Sequence, residues 1–410
     1  MKHIISKSCA DVQAYIVPFR AGSHRGVSIT PEMDAAVDLA INGSFGGNLG
    51  ETYAMTLPVG DKLTSIILLG LGADRLSVRD IHTKAAQAFK QAKQLGAKHV
   101  AIMLDQVSEL SESFELFGAL ARLPQLVGYT NSGLKSNPEN KSFEQITFVT
   151  AADGLDAALS EAVATARGTI IARRLCNLRS NEQTPQSLAE DAAALGKEYG
   201  FDVQLFDKAA IEELGMESFL SVARGAHNTP PVLIVMRYLN GGDSPRIGLV
   251  GKGIVYDSGG YSIKTTPGMK NMFDDMGGAA AVIGAMTAVA DQKLRANVIG
   301  VIAACENKIA ADAYVPGDII GSMSGKTIEV ISADAEGRLT LADAVTYIQR
   351  KESCRFVADI ATLTGSAKTA VGKYSAAVLT NNEELYASAR EASRLSAEKI
   401  WRLDNDREML

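Results

Sequence analysis

Short apolar runs alternate with amphipathic stretches along the whole chain. Residues 65–72 (SIILLGLG) form an unbroken apolar run ending on glycine, which predicts a buried strand and its exit turn. Residues 99–104 (HVAIML) and 144–150 (EQITFVT) repeat the pattern, and 80–95 reads as a helix rich in Ala, Lys and Gln. Residues 153–176 read as one long Ala-rich helix, followed by the polar break LRSNEQTP. Thr184-Pro185 then opens a new helix, with Thr as N-cap and Pro at the first helical position. Beyond it the pattern predicts strands at 202–206, 232–237, 247–250, 298–304 and 356–360, and helices at 277–290, 339–351 and 383–399. Such alternation predicts an α/β protein of two domains, each a mainly parallel or mixed sheet flanked by helices, with the boundary near the 153–176 helix.

Composition narrows the class. The 410 residues suffice for two or three domains. A hydrophobic fraction of 46 % excludes wholesale disorder. Glycine without a strict period and only 4 cysteines exclude collagen-like and disulfide-built chains. Lys plus Arg is 41 against 47 for Asp plus Glu, a net charge of −6 that argues against a nucleic-acid partner. The start, MKHIISKSCADVQAY, has no apolar stretch of signal-peptide length. No window approaches about 18 uninterrupted apolar residues, so no membrane span is expected. Cys9, Cys176, Cys305 and Cys354 form no CxxC pair and read as free thiols of a reducing, cytoplasmic compartment. The five histidines form no HExxH or HxH, so any metal site must rest mainly on carboxylates. Gly70-Leu71-Gly72 lacks the third glycine of a dinucleotide fingerprint, Arg75 standing in its place, and reads as a strand-exit turn.

Chemistry concentrates in two segments. Residues 248–278, GLVGKGIVYDSGGYSIKTTPGMKNMFDDMGG, hold Lys252, Asp257, Lys264 and Asp275 among glycines and apolar residues. A charge inside an apolar, strand-like run is costly unless it is paired or binds metal. The segment lacks the GxxxxGK[ST] frame of a phosphate loop. Residues 331–345, ISADAEGRLTLADAV, hold Asp334, Glu336 and Arg338. An extended conformation over 334–338 would turn all three to one face, where two carboxylates repel unless a cation lies between them. A solvated edge strand is the plainer alternative for this segment. Four carboxylates together match the charge of two divalent ions, and such sites suit hydrolysis by a bridging water between metals about 3.5–4 Å apart. Hard oxygen donors point to Mg2+, Mn2+ or Zn2+.

At these residues the chain resembles the leucyl aminopeptidase family, the M17 metallopeptidases that include peptidase A and peptidase B. The motifs VGKGIVYDSGGYSIK, DDMGGAA and DAEGRLTLADA carry the resemblance, with ARRLCNLRSNEQTPQSLA, MESFLSVARGAHNTPPVLIVMRY, YVPGDIIGSMSGKTIEV and DIATLTGSAKTAVG in the same order. It runs from about residue 165 to the last residue; the first 150 residues are only loosely similar to the family's variable, macro-like N-terminal domain. The resemblance implies domains at 1–155 and 184–410 joined by a linker helix at 156–183. It implies a metal-dependent aminopeptidase that removes leucine and similar residues from peptides with a free N-terminus. Lys252, Asp257, Asp275, Asp334 and Glu336 match the ligands of two metal ions, with Asp257 and Glu336 bridging, Lys252 and Asp275 completing the tighter site and Asp334 the more exchangeable one. Lys264 and Arg338 match the two catalytic residues, Lys264 polarising the scissile carbonyl and Arg338 holding a bicarbonate that serves as general base. Met272 matches part of the S1 wall, and the backbone of Leu363 lies where the family binds substrate and bicarbonate. A homo-hexamer, a dimer of trimers, is also implied.

Two departures from the family pattern stand out. Ser332-Ala333 replaces the usual Asn-Thr before DAEGRL, and relatives continue for several dozen residues past WRLDNDREML, so the catalytic domain is expected to be incomplete. A non-catalytic paralogue, binding metal, peptide or DNA, is the competing reading; the complete ligand set favours the enzyme and the acidic charge disfavours the DNA version. A nucleotide-binding α/β protein has no phosphate-cradling motif to support it.

Overall fold

The structure is a computed structural model that describes residues 1–9, 11–23, 29–131 and 142–405; the end of the WRLDNDREML segment lies outside the described residues. It is α/β throughout, and the chain divides into two compact units, Met1–Ala166 with Ser366–Leu410, and Arg167–Gly365.

The first unit is built on a six-stranded sheet of β1 (Lys2–Ser6), β2 (Ala14–Phe19), β3 (Thr52–Val59), β4 (Lys62–Gly70), β5 (His99–Met103) and β6 (Gln145–Val149), ordered β1-β6-β5-β2-β4-β3. All neighbours run parallel except β3, which returns antiparallel on β4. The near-continuous apolar runs predicted here are what a sheet buried on both faces requires. Alternate residues serve two cores: Ile16, Ile67 and Ile102 on one face, Val17, Leu68 and Ala101 on the other.

The second unit carries a five-stranded sheet of β7 (Asp202–Phe206), β8 (Val232–Leu239), β9 (Arg246–Asp257), β10 (Asn297–Asn307) and, after the short hairpin of β11 (Ile319–Ile320) and β12 (Ile328–Glu329), β13 (Phe356–Ile360). Its order is β13-β9-β10-β8-β7, with β13, β9 and β10 parallel and β8 and β7 antiparallel. The pattern predicted β9 only over 247–250. The strand runs on through Lys252 to Asp257, because the lysine is buried with ion-pair partners rather than breaking the run.

The Gly277–Asp291 helix covers one face of this sheet and the Glu336–Arg350 helix the other. Asp343 fixes the second helix. Its carboxylate is buried and accepts from the Phe219 amide (2.9 Å) and the Met323 amide (2.8 Å), tying helix, neighbouring helix and loop together. Asp343→Ala leaves one buried and one half-buried N–H group unpaired and is expected to destabilise the chain by about 3 kcal/mol. Urea unfolding measures this, and an unchanged midpoint contradicts it.

Ser366–Leu410 contributes β14 (Ser375–Val378) and β15 (Lys399–Arg402), paired in parallel. The helix predicted over 383–399 ends at Ser396, where Ala397 takes a left-handed conformation (φ +61°) and the chain turns into β15.

Candidate metal centre

Lys252 lies inside β9 and Asp257 ends it. Five residues apart, they would face opposite sides of a regular strand. The ladder corrects this. Cys305 of β10 pairs with Ile254 and Glu306 with Tyr256, so Val255 is an extra residue, a β-bulge. The bulge returns Asp257 to the face of Lys252, beside the Glu336–Arg350 helix, at the C-terminal ends of the parallel strands where α/β sheets hold ligands.

The segment 334–338 is not extended, contrary to the sequence expectation. Ala333–Ala335 is a single 3-10 turn and Glu336 begins the long helix. The reason is local: the Ser332 hydroxyl accepts from the Asp334 amide (3.2 Å) and caps the turn, and the following residues are good helix formers. The turn still brings Asp334 and Glu336 together. One carboxylate oxygen each from Asp257, Asp334 and Glu336 lie within 4.8 Å of one another.

Each lysine ammonium sits between two carboxylates. Lys252 Nζ is 2.7 Å from Asp275 Oδ2 and 2.8 Å from Glu336 Oε1, and donates to the Thr362 carbonyl at 3.0 Å. Lys264 Nζ is 2.7 Å from Asp257 Oδ2 and also pairs with Asp334. Lys252, Asp257, Asp275 and Glu336 are buried, whereas the Asp334 side chain keeps 38 % of its surface exposed. Two glycines make this density possible. Gly337 lets the lysine stem pass, since a Cβ there would lie 2.4 Å from Lys252 Cε. Gly259 holds φ +85° against the Asp334 carboxylate.

Burial pushes Glu336 up to about 7, with Lys252 opposing and Asp257 adding to the rise. Asp275 is raised by burial in the same way, against the pull of Lys252. Burial pulls Lys252 and Lys264 down, but the carboxylates beside them outweigh it and both end above the ordinary lysine value.

Of the other expected site residues, Met272 is half-buried in the short turn Met272–Asp274 that leads into Asp275. Leu363 is 39 % exposed just beyond β13, next to Thr362. Arg338 is exposed on the first turn of the Glu336–Arg350 helix and makes no hydrogen bond or ion pair among the described residues. Three neighbours were not singled out from the sequence. Asn307, at the end of β10, donates to Asp257 Oδ1 (2.7 Å) and to the Ala333 carbonyl (2.9 Å). Tyr314 donates to the same carbonyl at 2.8 Å. Thr362 donates to Asp275 Oδ1 at 2.7 Å. The only hint of Asn307 was the polar pair Glu306-Asn307 closing an apolar strand.

These residues fit divalent cations. Among the described residues Glu336 Oε2 is buried without a hydrogen-bond partner, and Asp275 Oδ2, though 2.7 Å from Lys252, lacks hydrogen-bond direction. An orphaned carboxylate oxygen in a buried cluster of hard donors is the arrangement a metal ion satisfies.

A profile of the cytosol aminopeptidase family, catalytic domain, matches residues 170–410, and one of the family's N-terminal domain matches 34–138. The probable cytosol aminopeptidase of Clostridium perfringens is 44 % identical over 370 residues, 88 % of this chain and 74 % of that protein. The chain belongs to the cytosol aminopeptidase family, M17. The probable cytosol aminopeptidase of Fusobacterium nucleatum is 40 % identical over 360 residues, covering 88 % of this chain and 73 % of that protein. Among solved structures, a mutant of tomato leucine aminopeptidase superposes with a TM-score of 0.86 at 30 % identity, covering 99 % of this chain and 83 % of that one. The bottromycin maturation enzyme BotP, in complex with Mn, gives 0.82 at 26 % identity over 96 % of this chain and 81 % of that one. Cytosol aminopeptidases are metal-dependent peptidases, and membership makes this chain an aminopeptidase, a hydrolase of peptides. No described helix is long and apolar enough to cross a membrane.

Proposed function

We propose that the chain is a dinuclear metal aminopeptidase that releases leucine and similar residues from peptides with a free N-terminus. The observation that carries this is the cluster itself: four carboxylates, three of them buried, in two pairs, each pair closed by a lysine, with a Glu336 oxygen that has no hydrogen-bond partner among the described residues. Lys252, Asp257, Asp275, Asp334 and Glu336 are the proposed ligands of Mn2+, Zn2+ or Mg2+. Bound there, the ions supply Lewis acidity and lower the pKa of water.

The remaining chemistry belongs to side chains of this chain. Lys264, held near the carboxylates with little exposure, presents a fixed positive charge to the scissile carbonyl. Arg338, with no carboxylate paired to it among the described residues, is free to hold a bicarbonate as general base. Met272 lines the S1 wall, and the Leu363 backbone contacts substrate and bicarbonate. The division into 1–155, a linker helix at 156–183 and a catalytic 184–410 is retained as the functional one. The proposed setting is the cytoplasm, and the proposed assembly a hexamer, a dimer of trimers, which size-exclusion chromatography tests by an elution at six chain masses rather than one.

A pH dependence follows from Glu336. Its carboxyl, raised to about 7 in the folded state, contributes stability at acid pH that is lost as pH climbs through 7. Metal must displace its proton and that of Lys252, so affinity changes in the opposite sense. In EDTA, the urea midpoint of the protein is expected to fall between pH about 5 and about 8, while Mn2+ affinity by calorimetry rises over the same range with proton release. An affinity independent of pH, with no protons released, contradicts the assignment.

A further inference from the structure

Asn307 stands out among the groups around the cluster. It is fully buried at the last position of β10, directly across the ladder from Asp257. Its single Nδ2 donates twice, to Asp257 Oδ1 (2.7 Å) and to the Ala333 carbonyl (2.9 Å). Its own carbonyl accepts the Ser258 hydroxyl (2.8 Å) and amide (3.1 Å), so the backbone beyond Asp257 is tied to the same residue. The Gly259 amide is the second donor to Asp257 Oδ1, at 2.8 Å. One oxygen of Asp257 is thus filled by protein donors, and Oδ2 is the one turned toward Lys264.

The Ala333 carbonyl precedes Asp334 directly. Here Ser332-Ala333 replaces the family's usual Asn-Thr, and the loop is held through its backbone: Asn307 and Tyr314 on the Ala333 carbonyl, and the Ser262 hydroxyl accepting from the Ala333 amide at 3.0 Å. One amide group therefore spans the end of β9 and the loop that carries Asp334, two segments 77 residues apart by number, 257 against 334.

We infer that Asn307 is a positioning residue, which selects the Asp257 oxygen offered to a cation and sets the distance between Asp257 and Asp334. Outer partners of this kind orient metal ligands, and their loss typically weakens metal binding or activity by roughly 10- to 100-fold. The inference rests on the metal-centre reading above.

The test is Mn2+ binding to the full chain by electron paramagnetic resonance, on folded fractions isolated by size-exclusion chromatography. Asn307→Leu keeps the volume and removes both Nδ2 donations, together with the long contact from the Tyr314 hydroxyl to Asn307 Oδ1 (3.5 Å); its Mn2+ affinity is expected to fall roughly 10- to 100-fold. Tyr314→Phe removes one donor from the Ala333 carbonyl and the 3.5 Å contact with Asn307 Oδ1, and keeps both Asn307 donations, the one to Asp257 included; a smaller loss, of a few fold, is expected, and this variant carries the test if Asn307→Leu does not fold. A merely structural role would lower the unfolding midpoint in EDTA yet leave the affinity of the folded fraction unchanged, and that result overturns the inference. The native chain is measured alongside. Failure of the native chain to bind Mn2+ overturns the metal-centre reading and this inference with it; native binding with equal binding by the variants overturns the inference alone.

Discussion

Glu336→Ala is expected to abolish hydrolysis of leucine p-nitroanilide. Glu336 contributes a buried oxygen with no hydrogen-bond partner among the described residues and is one of the two carboxylates that hold Lys252. Without it, both proposed ions lose a shared ligand, and with them several kcal/mol of transition-state stabilisation, a fall in kcat/KM of roughly 10³-fold or more. The same variant should lose bound metal by elemental analysis, as should Asp257→Ala. Metal and rate must fall together. A Glu336→Ala protein that is active and free of metal removes the basis of the dinuclear reading.

Lys264→Met separates catalysis from metal binding. Lys264 is closed between Asp257 and Asp334 by two ion pairs, the one with Asp334 hydrogen-bonded. If its charge serves the developing oxyanion, its loss lowers kcat by roughly 10²–10³-fold with KM changed little, the size found when one such donor is removed. Metal content should be retained, and affinity for Mn2+ should rise, because an ammonium no longer competes for those two carboxylates. Steady-state kinetics and metal analysis on one preparation distinguish the outcomes. Loss of metal together with rate would make Lys264 a structural partner of the ligands rather than a catalytic group.

Much of the fold was legible because buried parallel strands write themselves as apolar runs. The strands at 202–206 and 356–360 fall where the pattern put them, and the long Asp156–Asn177 helix differs from its predicted span by a few residues. Boundaries failed where charge or capping decides. The predicted strand stopped at Val250, short of Lys252, yet ion pairs let β9 continue through the lysine. The Ser332 cap turned 334–338 into a 3-10 turn and helix, so Asp334 and Glu336 meet through a turn and not along a strand face.

The cluster residues were legible as costly charges among glycines, and the M17 motifs supplied their proposed roles. What the sequence hid was the means of assembly. The five-residue spacing of Lys252 and Asp257 has the wrong parity for one strand face, and only the bulge at Val255, a residue with no bulge signature, resolves it. Asn307 is 50 residues from Asp257 and becomes its partner only through the β9–β10 ladder.

The central claim, that hydrolysis depends on two metal ions held by this cluster, is tested most directly by titrating the EDTA-treated chain with Mn2+ while following leucine p-nitroanilide hydrolysis and bound metal together. The account predicts no activity without metal, then activity that grows with bound Mn2+ and saturates near about two ions per chain. Full activity in the metal-free chain, or Mn2+ binding that leaves hydrolysis unchanged, would contradict it.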